Sequence, residues 1–336
     1  MSEYQYYEFQ AIDRPLTEKE MADLRSRSTR AEISPTSFVN DYSWGSFRGD
    51  EDAWMEKYFD AFLYLANWGN HAFKLGLPAR LLDLKTARRY CRGDQAAARE
   101  KNGKVILSFH SEDEGVSDWV EGEGHLSSLI SVRAELACGD LRGLYLGWLL
   151  CAQSGHLDDD ELEPPVPAGL ARLSASLESF VEFLRIDADL VAVAAIASAP
   201  LVHLEPKPAE VRAWITKLRA AEKDDLLTRL IAGNGGGLAN ELAQRMRRER
   251  GAERSAGKLE AKRRTVAELL RAAEKVSGER QRIASEKAAM RRPGESAPLR
   301  APEPNTSIGW RARSPYSGRR CRASSPPNSR RATTER

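Results

Sequence analysis

The chain has 336 residues, 41% apolar and 30% charged, a composition typical of a globular protein with room for about two domains. Its net charge of +2 hides an asymmetry, because residues 1–200 carry 20 Lys and Arg against 33 Asp and Glu, whereas residues 201–336 carry 31 against 16. The longest apolar runs are well short of the ~20 residues of a membrane-spanning helix, and the first ten residues do not resemble a secretory signal. These features exclude a membrane protein and predict a cytoplasmic one.

The first elements in chain order are a strand, a helix and a second extended stretch. Residues 4–12 place side chains alternately on two faces, as a strand does. Thr17 and Glu20 form a capping box, which predicts a helix that runs to about residue 28. Residues 36–44 are again extended.

One more helix and two more strands follow. Apolar residues recur at helical spacing after Asp50, which predicts a helix through residue 66. Residues 71–77 alternate, and residues 105–109 form a β-branched and aromatic run beside the turn signal Asn102-Gly103. Interleaved strands and helices predict an α+β fold in which helices pack on a mixed sheet.

No strand pattern reappears after Gly124, so the remainder is predicted to be helical. The last predicted helix has apolar residues every seven positions, but for only about two heptads, which favours a solvated helix with a narrow packing seam over a coiled coil. We divide the chain into an α+β domain (1–123), a helical extension packed on it (124–199), a small helical segment (209–250), a charged helix (258–290) and a tail (291–336).

The tail differs in composition from the rest of the chain. Residues 291–336 contain 11 arginines, no lysine and seven prolines, with few aliphatic residues, so we predict that they are disordered. An abrupt change to Arg, Pro and Ser is also what translation of a GC-rich region in the wrong frame produces. One hypothesis is therefore that residues after about Met290 are a frameshift product, and the nucleotide sequence would test it.

An acidic run with flanking histidines is the candidate for a metal-dependent site. Carboxylates and imidazoles together can hold a divalent cation, and the candidates are His110, Glu112, Asp113 and His125. Three nearby glycines favour a flexible, solvated acidic loop instead, because catalytic ligands need rigid support. No cysteine pair, histidine pair or nucleophile has the spacing of a known catalytic motif. We therefore expect no cofactor, and the sequence favours a non-catalytic protein over an enzyme.

Basic and aromatic residues are the candidates for partner binding. Arginines near the ends of the C-terminal helices could contact nucleic-acid phosphates without reading base sequence, although a solvated helix end has the same composition. These candidates are Arg245, Arg247, Arg248, Arg250, Arg263 and Arg264. Tyr4, Tyr6 and Tyr7 in the first strand cannot all point to the same face of the strand. We predict that the tyrosines on at least one face contact a partner protein.

Four segments carry a resemblance to known sequences. MSEYQYYEFQAIDRPLT, WMEKYFDAFLYLANWG, LYLGWLLCAQSGHLDDDELEPPVPAGL and SFVEFLRIDADL resemble a family of bacterial proteins with no assigned activity. The resemblance covers roughly residues 1–290 and implies a bacterial, cytosolic protein, but it supplies no site residues.

The charge asymmetry and the missing catalytic spacing favour a non-catalytic interaction or scaffold protein. The aromatic N-terminal region and the basic helices are its predicted contact surfaces. Two alternatives are a nucleic-acid-associated protein that uses the basic helices and a metal-dependent enzyme that uses the loop after His110.

Overall fold

The computed structural model describes residues 3–45, 47–113, 121–201, 208–232, 237–239, 241–243, 245–246, 249 and 263–290. Residues Met1–Glu286 form one compact unit. The predicted disordered tail lies outside the described residues, and so do Arg247, Arg248 and Arg250. The domain boundaries proposed from the sequence stay predictions.

Seven strands form one sheet in the order β2-β3-β1-β4-β5-β7-β6, and neighbouring strands are antiparallel throughout. The predicted α+β class is confirmed, with an antiparallel sheet in place of the mixed one. Asn102 and Gly103 have φ angles of 53° and 74° and form the tight turn between the last two strands. The strands are β1 (Gln5–Gln10), β2 (Glu32–Ile33), β3 (Ser37–Tyr42), β4 (Ala61–Ala66), β5 (His71–Pro78), β6 (Ala96–Lys101) and β7 (Lys104–Ser111).

Three helices lie between strands in the chain and the other described helices follow the sheet, as the sequence predicts. The helix at Thr17 is confirmed, because the Thr17 hydroxyl accepts the Glu20 N–H and the Glu20 carboxylate accepts the Thr17 N–H. The helices are α1 (Glu18–Arg27), α2 (Glu51–Lys57), α3 (Leu84–Ala87), α4 (His125–Leu129), α5 (Ser131–Ala137), α6 (Arg142–Gln153), α7 (Ala175–Phe183), α8 (Ala188–Ile196), α9 (Pro208–Lys217), α10 (Ala220–Ile231) and α11 (Val266–Met290).

The predicted helix from Asp50 through residue 66 is wrong. Asp50 does cap a helix, but α2 ends at Lys57, and residues Ala61–Ala66 form the central strand β4. A central strand is buried on both faces, so its apolar residues form a continuous run that periodicity cannot distinguish from a buried helix. The sequence also missed β2 and the edge strand β6.

The two faces of the sheet carry separate cores. On the first face, alternate residues such as Phe73, Leu75 and Phe109 pack against the helical layer, in which α4, α5 and α6 lie against β4, β5 and β6. On the second face, Phe9 is fully buried, with its ring centroid 4.4 Å from that of Phe62 and 5.2 Å from that of Trp54 in α2. Many of the aromatic residues in the first 70 positions are therefore part of a core.

The central helix α6 is apolar on all sides because other elements surround it. From Arg142 to Ala152 all of its residues are buried. Gly147 lets the helix approach the sheet closely, since a Cβ built there would lie 2.4 Å from Cε1 of Phe109.

We predict that Gly147→Ala lowers the free energy of unfolding by ~1–3 kcal/mol, because the added methyl group overpacks a fully buried contact. Urea unfolding measures the change. Gly278→Ala in α11 is the matched control: no heavy atom lies within 4 Å of the added Cβ, so it should raise stability by ~0.5–1 kcal/mol. A Gly147→Ala protein as stable as the wild type would contradict the packing described.

Helix α11 returns to the body after the segment that contains α9 and α10. Leu162 and Thr265 form an antiparallel bridge, and the Glu163 N–H donates to the Arg264 carbonyl at 2.9 Å. Val266 and Leu269 are buried in the first-face core, whereas Ile283 is 43% exposed. The helix thus packs by its first turns, which agrees with the narrow seam predicted for it.

Candidate interaction surfaces

The candidate metal ligands do not converge. His110 lies on β7 and faces the second side of the sheet, where burial lowers its pKa and the ammonium of Lys74 lowers it further. His125 begins α4 in the helical layer, with its ring centroid 5.6 Å from that of Phe183. Glu112 and Asp113 follow β7 in the loop. Within the described ranges, no three His, Cys, Asp or Glu side chains are placed to hold a metal ion.

The buried cysteines are not activated nucleophiles. Cys91 and Cys151 are buried free thiols. Burial raises the pKa of Cys91 to about 12 and also raises the pKa of Cys151. Because the thiolate is the reactive form, both groups stay protonated and inert near neutral pH.

Two of the three described arginine candidates are engaged within the protein. Arg264 donates to the buried Glu163 carboxylate from Nε at 2.8 Å and from Nη2 at 2.7 Å. Arg245 donates from Nε to Glu249 at 3.0 Å and also pairs with Glu222. Arg263 is exposed. A continuous basic strip along these positions is therefore not present in the part of the chain that is described.

The tyrosines of β1 are placed differently from one another. Tyr6 and Tyr7 are 6% and 5% exposed, so their rings are core rather than contact surface. The Tyr6 hydroxyl donates to Glu8 and the Tyr7 hydroxyl to Gln5. Tyr4 is half-buried and accepts the Gly122 N–H at 3.4 Å. Of the three predicted contact residues, Tyr4 alone has a substantially accessible side chain.

Among the described histidines, His71 has the most strongly shifted pKa. Its Nδ1–H donates to the Phe183 carbonyl at 2.6 Å, and its Nε2 accepts from the Arg185 guanidinium at 3.2 Å. Arginine only donates, so this arrangement requires the neutral ring. Burial, together with the charges of Arg185 and His125, lowers the pKa of His71 to about 4, against the opposing effect of the hydrogen bond to Phe183. The sequence indicated nothing of this role, because Arg185 is 114 positions away.

Helices α9 and α10 carry the densest group of exposed apolar side chains. Their own small core contains Trp214, Leu218 and Met246. No residue of α10 is buried, although the helix is amphipathic. Four large apolar side chains are 43–85% exposed on the two helices, and we call them the apolar stripe: Ile215, Leu227, Leu230 and Ile231.

The outer strands β2, β3 and β1 leave part of the first face accessible. Glu32, Val39 and Glu8 lie directly opposite one another in successive strands, and Asp41 lies opposite Tyr6. Glu32 and Asp41 are exposed, and Glu8 is half-buried. We call this surface, with the two loop carboxylates that adjoin it, the acidic face: Glu8, Glu32, Asp41, Glu121 and Glu123.

Charge effects on Tyr4 and Glu8 link four members of the acidic face, namely Glu8, Asp41, Glu121 and Glu123. Burial raises the pKa of Tyr4, and the carboxylates of Asp41, Glu121 and Glu123 raise it further. Burial likewise raises the pKa of Glu8, where the hydrogen bond from Tyr6 opposes the effect and the charge of Glu123 adds to it.

Comparison with known proteins supplies no function. No family model matches the chain, no curated protein is similar to it, and no solved structure matches it. The resemblance to a bacterial family therefore stays a prediction. Among the described residues, no helix is both long and apolar enough to cross a membrane.

Proposed function

We propose that this protein is a non-catalytic interaction protein of the bacterial cytoplasm, which binds an amphipathic helix of a partner protein through the apolar stripe on α9 and α10. The observation that carries the proposal is the exposure of the stripe: Ile231 is 85% exposed, Leu230 57% and Leu227 56%. Isolated surface apolar residues are common, but several on one short helical pair are typical of a protein contact site.

The spacing of the stripe fits a helical partner. Leu227, Leu230 and Ile231 stand at positions i, i+3 and i+4, so they share one face of α10. An adjoining side of α10 is used internally, because Leu226 packs toward Trp214 and Arg229 pairs with Glu241 at 2.8 Å. A partner helix with complementary apolar positions would cover the stripe, as in other helix-in-groove complexes.

The described contacts give less support to the two alternatives. For nucleic acid, Arg245 and Arg264 would have to leave their carboxylate partners before they could meet phosphates. For a metal-dependent enzyme, His110 and His125 would have to come together from opposite sides of the sheet.

A matched pair of substitutions tests the proposal. Ile231 and Ile196 each end a helix and are 85% and 81% exposed, so Ile231→Ser and Ile196→Ser remove similar apolar surface. We expect Ile231→Ser, and more strongly Leu227→Ser/Ile231→Ser, to lower recovery of a protein partner by about tenfold, with wild-type recovery for Ile196→Ser.

The measurement is quantitative mass spectrometry of proteins retained by the tagged full chain, with circular dichroism to confirm that each variant is folded. A partner lost equally from the Ile231→Ser and Ile196→Ser proteins would contradict the proposal. So would the absence of any partner retained reproducibly by the wild type at low salt.

A further inference from the structure

We propose that a cavity between α1 and α2 binds a free amino acid with an apolar side chain. The cavity has a volume of about 360 Å³ and is lined by residues of both helices. Small-molecule sites span ~300–1,000 Å³, so this cavity is suited to a small ligand. It shares no residue with the apolar stripe on α9 and α10, so its ligand is independent of the proposed function.

The floor of the cavity is apolar and is fixed by the core beneath it. Leu24 and Trp54 line the cavity and are only 1% and 7% exposed. Both belong to the core on the second face of the sheet, where the Trp54 ring centroid lies 4.9 Å from that of Phe38. A preformed floor of this kind packs against a small apolar side chain with little loss of conformational entropy.

The floor also contains a hydrogen-bond donor that the protein does not use. In the described part of the chain, the indole N–H of Trp54 donates to no group. Polar groups of buried residues are nearly always hydrogen-bonded, so this donor indicates that a ligand acceptor belongs in the cavity.

Unpaired charges of both signs stand at the rim. Asp23 and Arg27 of α1 are exposed and line the cavity. Opposite charges at positions i and i+4 commonly pair on a helix surface. Among the described residues, however, neither the Asp23 carboxylate nor the Arg27 guanidinium has a hydrogen-bonded or ion-paired partner. Both groups are therefore available to a ligand.

A second cation is held at the rim by an aromatic ring. The Lys57 ammonium of α2 donates to the Tyr58 hydroxyl at 2.7 Å and lies 4.5 Å from the centroid of that ring. Lys57 and Tyr58 both line the cavity. The hydrogen bond with Tyr58 raises the pKa of Lys57, and the charge of Asp23 raises it further, so the ammonium stays protonated near neutral pH.

These groups match the parts of an apolar amino acid. Arg27 and Lys57 would bind the α-carboxylate, and Asp23 would bind the α-ammonium. Leu24 and Trp54 would pack against the side chain. A ligand that lacks any one of the three parts leaves some of these groups unused.

The charge of the whole body favours a zwitterion over a simple anion. Residues 1–200, which include both helices, carry 33 acidic against 20 basic residues, so their long-range field repels an anion. A zwitterion has no net charge and is not repelled. Its carboxylate is therefore bound by the local cations without opposition from the field.

The experiment is isothermal titration of the full chain with L-leucine, and Ala53→Leu is the test variant. Ala53 is exposed on α2 and lines the cavity, so a leucine there fills the space without entering the core. Ala22→Leu is the matched control, because Ala22 is exposed on α1 and is not one of the lining residues. We expect Ala53→Leu to bind L-leucine at least tenfold more weakly, and Ala22→Leu to bind within about twofold of wild type.

Ligand analogues and a charge variant separate the contributions. Leucinamide lacks the carboxylate and N-acetyl-leucine lacks the ammonium, so each should bind about tenfold more weakly than L-leucine. Arg27→Gln should weaken the binding of L-leucine about tenfold and leave that of leucinamide unchanged, because the lost contact is the one to the carboxylate. Arg88→Gln, at an exposed position just after α3, should change neither titration.

Three results would overturn the inference: equal weakening by Ala53→Leu and Ala22→Leu, equally tight binding of leucinamide and L-leucine, or no saturable binding to the wild type. Circular dichroism confirms that each variant is folded. Leu227→Ser/Ile231→Ser should leave the L-leucine titration unchanged, so failure here is distinguishable from failure of the proposed function.

Discussion

Glu163→Ala should lower the free energy of unfolding by ~3–5 kcal/mol, the largest effect that we expect from a single substitution in this protein. Glu163 is 2% exposed, and its carboxylate accepts two hydrogen bonds from Arg264 and one from the Tyr145 hydroxyl. Burial raises the pKa of Tyr145 and the charge of Glu163 raises it further, so the hydroxyl stays protonated and donates. Removing the carboxylate leaves the partly buried Arg264 without its counter-ion.

The position of this network explains why the loss should be large. Tyr145 belongs to α6, Glu163 to the segment after it and Arg264 to the residues just before α11. Arg264 also donates to the Val193 carbonyl of α8 at 3.0 Å. One carboxylate therefore joins the N-terminal end of α11 to the helical layer, and its loss should raise hydrogen exchange in α11 as well as lower global stability.

A neighbouring glutamate provides the control. Glu161 lies two residues earlier and pairs with Arg92 at 3.1 Å at the surface, so Glu161→Ala should cost less than ~1 kcal/mol. Urea unfolding followed by circular dichroism measures both variants. In Glu163→Leu/Arg264→Met the two charges are removed together, and stability should recover in part. Equal costs for Glu161→Ala and Glu163→Ala would show that the buried network does not hold α11.

Lowering the pH from about 6.5 to about 4 should remove ~3 kcal/mol of stability through His71 alone. The folded-state pKa of His71 is lowered to about 4 by burial, by Arg185 and by His125, from an ordinary value of 6.5. Between these pH values the unfolded chain binds more protons than the folded chain, so stability decreases as the pH falls. Protonation would also place a donor on Nε2 against the Arg185 guanidinium.

The His71→Asn variant isolates this contribution, because an amide does not titrate in that range. We expect its stability to depend on pH less steeply than the wild type between pH 6.5 and 4, by ~3 kcal/mol over the interval. His156→Asn, at an exposed histidine, should keep the wild-type dependence. Thermal and urea unfolding at a series of pH values give the comparison. Parallel wild-type and His71→Asn curves would refute the neutral, hydrogen-bonded form of His71.

Local signals in the sequence predicted a large part of the fold. The capping box at Thr17, the turn at Asn102-Gly103 and the alternation in β5 are each set by a few neighbouring residues, and each is confirmed. The region after Gly124, predicted to be helical, contains α4 through α8. These elements depend on hydrogen bonds and apolar periodicity within about twenty residues, which a sequence displays directly.

The candidate surfaces were predicted less well. The apolar stripe lies in a segment that the sequence predicts to be helical. Whether its side chains are exposed depends on which other elements pack against these helices, and the sequence does not show that. For the first strand, alternation showed that Tyr6 and Tyr7 face opposite ways, yet helices cover Tyr6 and aromatic rings cover Tyr7. The acidic face is assembled from β1, β2, β3 and a loop, so no run of residues marks it.

The sequence by itself determined the α+β class, most element positions and the opposite charges of the two halves, because composition and short-range periodicity carry that information. Only the tertiary structure decided that residues 61–66 are a strand, that His71 is neutral beside Arg185 and that Glu163 pairs with Arg264, 101 positions away. The physical reason is that burial, pairing and pKa depend on the residues brought together in space, and these contacts join positions that no local pattern connects.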